Sequence, residues 1–254
     1  MTTDIKTVTA AFVVIGSEIL SGRTQDANIK VVAERLAAKG ITLSEVRIID
    51  DNPDQIITTI NQLRHQFDHV LTSGGIGPTH DDITAGSIAK AFGVELCRDP
   101  RAVELLTKHY APSPVTDARL KMAEIPVGAE LIANPISKAP GFRIGNVAVM
   151  AGVPNIMRAM LDDLLPRLAG GSVVESRTIT AAIGESRIAV ELEAIQAQFL
   201  MVQIGSYPYY RGGGFGTSLV LRSAVQDKLD KATLAVRKLL DQMGAEIIDA
   251  PPEE

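Results

Sequence analysis

Short β-branched segments alternate with segments of helical periodicity through the first two thirds of the chain, and this alternation restricts the possible folds more than any other feature. The segment TVTAAFVVIG has the composition of a buried strand and ends at Gly16. The next segment, ANIKVVAERLAAKG, has apolar residues at helical spacing and ends at Gly40. ITLSEVRII, PDQIITTINQLRHQF and HVLTSGG then repeat strand, helix and strand. Regular alternation of this kind predicts an α/β fold with a mostly parallel central sheet covered by helices on both faces.

The pattern changes after Gly170 and Gly171. The segments VVESRTITAAI, ESRIAVELEAIQAQF, MVQIGSYPYY, GTSLVLRS and VQDKLDKATLAVRKLLDQM follow the order strand, helix, strand, strand and helix. We therefore predict two domains, a larger one over residues 1–170 and a small α+β domain over residues 171–254. The segment SYPYYRGGGFG in the small domain is either a surface that contacts another protein or a glycine-rich hairpin with its tyrosines packed beneath it.

Composition excludes several classes of protein. The 254 residues are 46 % hydrophobic and 22 % charged, which is typical of a globular protein with a sizeable core. The apolar runs are far shorter than the ~20 residues of a membrane-spanning helix, and the first residues do not resemble a signal peptide, so we expect a cytoplasmic protein without a membrane partner. The single Cys97 excludes an internal disulfide. A net charge of −5 without any Lys/Arg run argues against a nucleic-acid partner.

A glycine-rich, acidic loop, TSGGIGPTHDDIT, lies between a predicted strand and a predicted helix. Open α/β proteins bind ligands at this edge of the sheet, where glycines let the backbone approach a phosphate and a helix N-terminus attracts anions. Carboxylates beside a phosphate, here Asp81 and Asp82, require a divalent cation between them. The alternative is that one of them caps the helix in a surface turn. The loop has no GK[ST], and His80 takes the place of the last glycine in G-x-G-x-x-G, so it is neither a P-loop nor a dinucleotide fingerprint.

Polar residues follow the other predicted strands at the same edge. IIDDNPDQ places Asp50 and Asp51 after the second strand, where they face the glycine-rich loop if the strands are neighbours; the alternative is a turn with Asn52 and Pro53. GSEILSGRTQDAN follows the first strand, and IPVGAELIANPISKAPGFRI is predicted as a long loop. A solvated loop position is the alternative for each residue taken singly. The candidates from these two segments are Glu18, Ser21, Arg23, Asn28, Asn134, Lys138, Pro140 and Gly141.

Four motifs occur in a fixed order, namely GSEILSGRTQDAN, TSGGIGPTHDDIT, IPVGAELIANPISKAPGF and MAGVPNIM. Together they resemble the molybdopterin-binding (MoaB/Mog-like) domain of CinA-type competence/damage-inducible proteins, a domain that is also joined to eukaryotic FAD synthases. The resemblance covers residues 8–168, and SYPYYRGGGFGTSLVLRS is similar to the small domain that follows in CinA. It implies a three-layer MoaB/Mog-like fold and a homo-oligomer. We expect neither the nicotinamide-mononucleotide deamidase domain of many CinA proteins nor an FAD synthase module.

The resemblance also implies a function. In CinA-type proteins the related activity is metal-dependent hydrolysis of nucleotide pyrophosphates such as ADP-ribose, and in the FAD-synthase branch a similar domain hydrolyses FAD. We therefore predict a nucleotide pyrophosphatase, a hydrolase that uses a divalent metal (Mg, Mn or Co). The alternative is a protein that binds molybdopterin without hydrolysis. By this resemblance Asp51, Asp81 and Asp82 are catalytic, and Asp51 and Asp82 hold the metal.

The predicted ligand is a small nucleotide or pterin whose phosphate lies on the GGIGPT loop. Backbone N–H groups from Gly74 to Gly77 are expected to stabilise the negative charge that develops on the phosphoryl group. The predicted ligand- and phosphate-binding residues are Gly74, Gly75, Gly77, Thr79, Glu18, Ser21, Arg23, Asn28, Asn134, Lys138, Pro140 and Gly141.

Overall fold

The structure, a computed structural model, describes residues 6–211 and 214–248. It divides into two compact units, one of Thr7–Gly171 and a second that begins at Ser172. Within the described residues, no helix combines the length and the apolar character needed to cross a bilayer.

The first unit alternates strands with helices. Its strands are β1 (Val8–Ile15), β2 (Ile41–Ile49), β3 (His69–Ser73), β4 (Leu96–Arg98), β5 (Glu124–Pro126), β6 (Glu130–Ile132), β7 (Gly141–Ile144) and β8 (Val147–Met150). Its helices are α1 (Ser17–Leu20), α2 (Asn28–Ala38), α3 (Pro53–Gln66), α4 (Thr84–Phe92), α5 (Pro100–Tyr110), α6 (Asp117–Lys121) and α7 (Pro154–Leu164), followed by a 3-10 turn over Leu165–Arg167.

The main sheet has the strand order β2-β1-β3-β8-β7-β6. Neighbouring strands from β2 to β8 pair in parallel, whereas β7 and β6 pair antiparallel at one edge. The prediction of a mostly parallel sheet is therefore confirmed. The antiparallel edge arises because β7 and β8 are joined by a short turn around Gly145, and a parallel pair would require a long crossover.

The position of strand β1 explains why apolar and polar residues do not alternate in VTAAFVVI. Its side chains point alternately to opposite faces of the sheet, and each face is covered. Phe12 and Val14 pack in the core on the side of α2 and α7, whereas Val13 and Ile15 pack in the core on the side of α3 and α4. The sheet is thus the middle of three layers.

Backbone hydrogen bonds join the carboxyl ends of the strands at one edge. The N–H of Gly16 donates to the carbonyl of Ile49 at 3.0 Å, and the N–H of Gly74 donates to the carbonyl of Met150 at 3.0 Å. The segments that leave β1, β2, β3 and β8 therefore begin side by side, which places the predicted motifs at a common edge.

The segment IPVGAELIANPISKAPGFRI is not a single long loop, so that prediction was wrong. Strand β5 overlaps its start and pairs with β4, while β6 and β7 extend the main sheet. These strands have three or four residues each and are separated by glycines and prolines. Such short runs carry no period-two pattern, and only their pairing with distant segments makes them strands.

The second unit has the predicted order of strand, helix, strand, strand and helix, with a short final strand added. Its elements are β9 (Glu175–Ala181), a 3-10 turn over Glu185–Arg187, α8 (Ala189–Gln198), β10 (Gln203–Arg211), β11 (Gly214–Ser223), α9 (Gln226–Gln242) and β12 (Ile247–Ile248). The sheet is antiparallel with the order β10-β11-β9-β12. It packs one face against α8 and α9. Tyr207 and Tyr210 are exposed, so these two rings are not packed beneath the hairpin; Gly212 and Gly213 lie outside the described residues.

Candidate functional site

The glycine-rich loop leaves β3 in a backbone conformation that demands glycine. Gly74 has φ 108° and Gly75 has φ 65°. A Cβ on Gly74 would lie 2.0 Å from the carbonyl oxygen of Ile15 in the neighbouring strand. The hydroxyl of Thr84 donates to the carbonyl of Gly74 at 3.0 Å, and the N–H of Thr84 donates to the carbonyl of Gly75 at 3.0 Å. The start of α4 therefore holds the loop in place.

The N–H groups of the loop are not equivalent. The N–H of Gly74 is occupied by the carbonyl of Met150, so it cannot serve a ligand in this conformation. The structure gives the N–H groups of Gly75, Ile76 and Gly77 no hydrogen-bond acceptor within the described part of the chain. The expected donor set thus begins at Gly75 rather than at Gly74.

Asp82 holds the far end of the loop and does not cap the helix. Its Oδ2 accepts the N–H of Thr79 at 2.8 Å and the hydroxyl of Thr79 at 2.6 Å. The N-cap residue of α4 is Ile83, which makes no side-chain capping bond. A Cβ on Gly77 would lie 2.6 Å from Asp82 Oδ2, so the glycine lets this carboxylate lie against the loop backbone.

Four carboxylates line one cavity with the loop. This main cavity, of about 560 Å³, is lined by Glu18, Asp51, Asp81 and Asp82 together with Gly74, Gly75 and Gly77. No Lys or Arg is among the described residues that line it. An anionic ligand would meet four carboxylates on the walls of this cavity and would be repelled unless a cation accompanied it.

Asp51 reaches the main cavity although its strand is not adjacent to β3. Strand β1 lies between β2 and β3, so the carboxylate reaches across the end of β1. Its Oδ2 accepts the N–H of Ser17 at 3.0 Å. Burial raises the pKa of Asp51, the Ser17 hydrogen bond lowers it, and the charges of Glu18, Asp50 and Asp81 raise it further; the net pKa is above the usual value.

A raised pKa makes ionised Asp51 unfavourable for folding. The charge destabilises the folded state at pH values above the folded pKa, and this effect disappears at pH values below the unfolded pKa of ~3.9. We therefore expect Asp51→Asn to be more stable than wild type at pH 7, with the difference vanishing at about pH 3. The asparagine carbonyl can still accept the Ser17 N–H. Urea midpoints at both pH values measure this, with exposed Asp54→Asn as the control; equal midpoints at pH 7 would contradict it.

The remaining predicted ligand residues differ in whether they line a cavity. Asn134 lines the main cavity, but its amide bonds inside its own loop: it donates to the Ala139 carbonyl at 2.8 Å and accepts the Ile136 N–H at 3.0 Å. Thr79 is bound to Asp82 as described, and Pro140 lines a second cavity of about 250 Å³. Four further residues, Ser21, Arg23, Lys138 and Gly141, line none of the described cavities.

These residues are placed elsewhere for local reasons. Ser21 and Arg23 are exposed in the turn that follows α1. Gly141 is buried in β7, where a Cβ would lie 2.4 Å from the Val149 carbonyl oxygen. A glycine at position 141 therefore allows β7 to lie close to β8. Lys138 has φ 61° and its N–H donates to the Asn134 carbonyl at 3.1 Å, so it belongs to the turn around Asn134.

The second cavity lies on the other side of the loop and shares with the main cavity Gly75, Ile76, Gly77, Asp82 and Met122. The first turn of α4 lines this second cavity. Lys121, whose ammonium donates to the Thr79 carbonyl, also lines it. Sequence reasoning missed Met122 and Lys121 because α6 is only five residues long and gives no periodic signal.

Asn28 lies apart from the loop, in a small chamber of about 70 Å³ that adjoins the main cavity and that we call the side chamber. Its Nδ2 donates to the carbonyl of Gly152 at 2.8 Å, which ties the start of α2 to the segment after β8. Glu18 lines both the side chamber and the main cavity.

A divalent cation fits the chemistry of the main cavity only as a partner of the ligand. In the described residues, no three Asp, Glu, His or Cys side chains approach closely enough to form a metal site. Mg²⁺-type ions are commonly held by one or two carboxylates together with substrate phosphates and water. The four carboxylates of the main cavity repel one another and offer oxygen ligands, so they are compatible with such an ion. Asp51 and Asp82 are the side chains that would hold it.

Comparisons with known proteins agree with this architecture. The family described as "Probable molybdopterin binding domain" matches residues 11–170, and the family described as "FAD synthase, middle domain" matches residues 173–248. A protein from Pyrococcus furiosus is 30% identical over 238 residues, 88% of this chain and 93% of the relative. A "Probable FAD synthase" from Caenorhabditis elegans is 28% identical over 259 residues, and the match covers 91% of this chain but only 50% of the synthase.

A solved structure shows the same fold for the first unit. The crystal structure of "the protein CinA with unknown function" from Thermoplasma acidophilum aligns with a TM-score of 0.60 and 33% identity, covering 63% of this chain and 98% of that chain. The molybdopterin-binding family match spans more than half of the residues. The CinA structure is 33% identical to this chain, and the Pyrococcus furiosus protein is 30% identical to it. The chain therefore belongs to the CinA-type molybdopterin-binding family.

Proposed function

We propose that the protein is a metal-dependent nucleotide pyrophosphatase that cleaves an ADP-ribose- or FAD-like diphosphate in the main cavity. The observation that carries this proposal is the composition of the cavity. Among the described residues that line it, four carboxylates and no Lys or Arg accompany a glycine loop whose N–H groups from Gly75 to Gly77 have no acceptor in that part of the chain. A loop of this kind suits phosphate oxygens, while the carboxylates suit a cation that accompanies them. Similarity to an FAD synthase middle domain and to a probable FAD synthase supports a nucleotide as the ligand.

The reaction we propose is attack of water on one phosphorus of the diphosphate. A P–O bond forms to the water oxygen, the P–O–P bridge breaks, and AMP leaves together with the other phosphorylated product. The N–H groups of Gly75, Ile76 and Gly77 stabilise the charge that develops on the phosphoryl oxygens. A carboxylate of the main cavity that does not hold the cation accepts the proton of the water. A bound divalent cation supplies Lewis-acid polarisation of the phosphoryl group.

The test is release of AMP from ADP-ribose and from FAD with Mg²⁺, Mn²⁺ or Co²⁺ and with EDTA. We expect AMP from at least one substrate with metal and a loss of about 100-fold or more with EDTA, because the cation contributes several kcal/mol to transition-state stabilisation. If neither substrate yields AMP with any of the metals, the pyrophosphatase proposal is wrong.

The alternative, binding of molybdopterin without hydrolysis, has weak support from the family match over residues 11–170. It predicts that a pterin phosphate binds at the same loop and that Asp82→Asn changes its affinity while no substrate is cleaved. Calorimetric titration of a pterin phosphate, performed beside the AMP assay, separates the two functions.

A further inference from the structure

The outer edge of β2 is a long strand edge that no other described strand pairs with. Strand β2 ends the main sheet, has nine residues and contains neither proline nor lysine. Strands β4, β5, β6 and β12 have two or three residues each. The edge strand β10 is as long as β2, but Gln196 Oε1 accepts the N–H of Ile204 at 2.8 Å and Pro208 has no N–H. Proteins usually keep edge strands short, block them or cover them, so the open edge of β2 indicates a partner.

The hydrogen bonds between β1 and β2 show which backbone groups of β2 point outward. The N–H of Gly16 donates to the carbonyl of Ile49 at 3.0 Å, so Ile49 directs its backbone groups toward β1. These directions alternate along a strand, and Arg47 and Glu45 therefore also bond to β1. Val46 and Ile48 direct their N–H and C=O groups outward, where they have no hydrogen-bond partner among the described residues.

The side chains along this edge form one apolar row and one charged row. Val46 is 36 % exposed and Ile48 is 38 % exposed on the face of the sheet that carries α2 and α7. Glu45 and Arg47 lie on the opposite face, where Arg47 Nε donates to Glu45 Oε1 at 2.6 Å and Arg47 Nη1 donates to Gln62 Oε1 of α3 at 2.7 Å. A strand that pairs with this edge has to match an apolar centre that has a negative charge on one side and a positive charge on the other.

A second copy of β2 supplies this pattern when it runs antiparallel. With a two-fold axis at Val46, the outward N–H and C=O groups of the two Val46 residues exchange two hydrogen bonds. Glu45 of each copy then lies opposite Arg47 of the other copy, and opposite charges in such cross-strand pairs stabilise the pairing. An axis at Arg47 would place two arginines opposite each other, which destabilises the pairing. The charges therefore select one register.

We propose that two copies of the chain associate through the outer edge of β2, antiparallel about a two-fold axis at Val46, and so continue the main sheet from one copy into the other. The carboxyl ends of the two β2 strands then point in opposite directions, so each main cavity is formed by residues of its own copy. This inference does not depend on the proposed function. It goes beyond the homo-oligomer expected from the sequence because it assigns the strand and the register.

The first test is a charge exchange, measured by sedimentation equilibrium of the full chain over a wide range of concentrations. The proteins are wild type, Glu45→Arg, Arg47→Glu and the double variant Glu45→Arg/Arg47→Glu. Each single change places like charges opposite each other at both cross-strand pairs, whereas the double variant restores opposite charges in exchanged positions. We expect a dimeric wild type, a dissociation constant raised about tenfold in each single variant, and recovery to within about threefold of wild type in the double variant.

The second test removes one backbone donor. Val46→Pro deletes the outward N–H of Val46 and leaves the hydrogen bonds to β1 in place, because Val46 does not donate to β1. We expect the dissociation constant to rise about 10- to 100-fold, since the dimer loses two hydrogen bonds. Val46→Thr is the matched control because it keeps the N–H and the β-branched shape, and its dissociation constant should stay within about threefold of wild type. Circular dichroism of each variant measures whether it is folded.

Three results would overturn the inference: a wild type that stays monomeric at every concentration, a folded Val46→Pro variant that associates like wild type, or a double charge variant that does not recover. A role of Glu45 and Arg47 in stability alone would change thermal unfolding without changing the dissociation constant. The sedimentation measurement uses no substrate. Failure of AMP release would therefore leave the dimer intact, and a monomeric protein would leave the proposed function intact.

Discussion

Asp82→Asn is expected to lower kcat/KM for metal-dependent AMP release by about 10²- to 10³-fold, because in the proposed function Asp82 is one of the carboxylates that hold the cation. The asparagine keeps the shape of the side chain and an oxygen that can accept the N–H and the hydroxyl of Thr79, at 2.8 and 2.6 Å in the wild-type structure. The loop should therefore stay folded while the charge is lost. Initial rates over a range of substrate and metal concentrations measure the effect.

The matched control for this prediction is Asp54→Asn. Asp54 is exposed in the first turn of α3 and does not line the described cavities, so its neutralisation changes net charge equally without touching the site. Urea midpoints of both variants show whether either change unfolds the chain. A well-folded Asp82→Asn enzyme with the wild-type rate would remove Asp82 from the proposed mechanism. A rise in the metal concentration needed for half-maximal rate would support its role in holding the cation.

Gly74→Ala is expected to lower the free energy of unfolding by about 4 kcal/mol or more, which is in the range of exceptional single substitutions. The new Cβ would lie 2.0 Å from the carbonyl oxygen of Ile15, and this oxygen belongs to the backbone of β1, so it cannot turn aside as a flexible side chain could. The φ of 108° adds strain for any residue with a Cβ. Because small domains have ~5–15 kcal/mol of total stability, this variant should fold poorly. Urea unfolding and soluble yield measure it.

Gly22→Ala provides the control for backbone strain without a clash. Gly22 has φ 72°, and a Cβ there would meet no atom within 4 Å. Its cost should be only about 1–2 kcal/mol, the usual penalty of a left-handed conformation. If Gly74→Ala were as mild as Gly22→Ala, strand β1 would have to move away from the loop easily. That outcome would contradict the rigid glycine-rich loop on which the proposed function depends.

The periodicity of the sequence was sufficient to predict the parallel strands β1, β2 and β3 of the main sheet and the helices α2 and α3 between them. VTAAFVVI is apolar throughout because a central strand is buried on both faces of the sheet. ANIKVVAERLAAKG has apolar residues at helical spacing because its helix is buried on one face only. Strands of three or four residues in IPVGAELIANPISKAPGFRI were not predicted, since their conformation depends on pairing partners far away in the sequence. The helix α5 was likewise not predicted in a segment to which no pattern was assigned.

The sequence by itself determined which chemical groups this protein brings to the edge of its sheet: glycines, carboxylates and an asparagine after successive strands, because strand ends in a parallel sheet share an edge. Only the tertiary structure decided which of them face a common cavity. It carried Asp51 across β1 to the main cavity and left Arg23 and Lys138 outside the described cavities. The physical reason is that strand order and side-chain direction come from packing between distant segments, which no local pattern in the chain encodes.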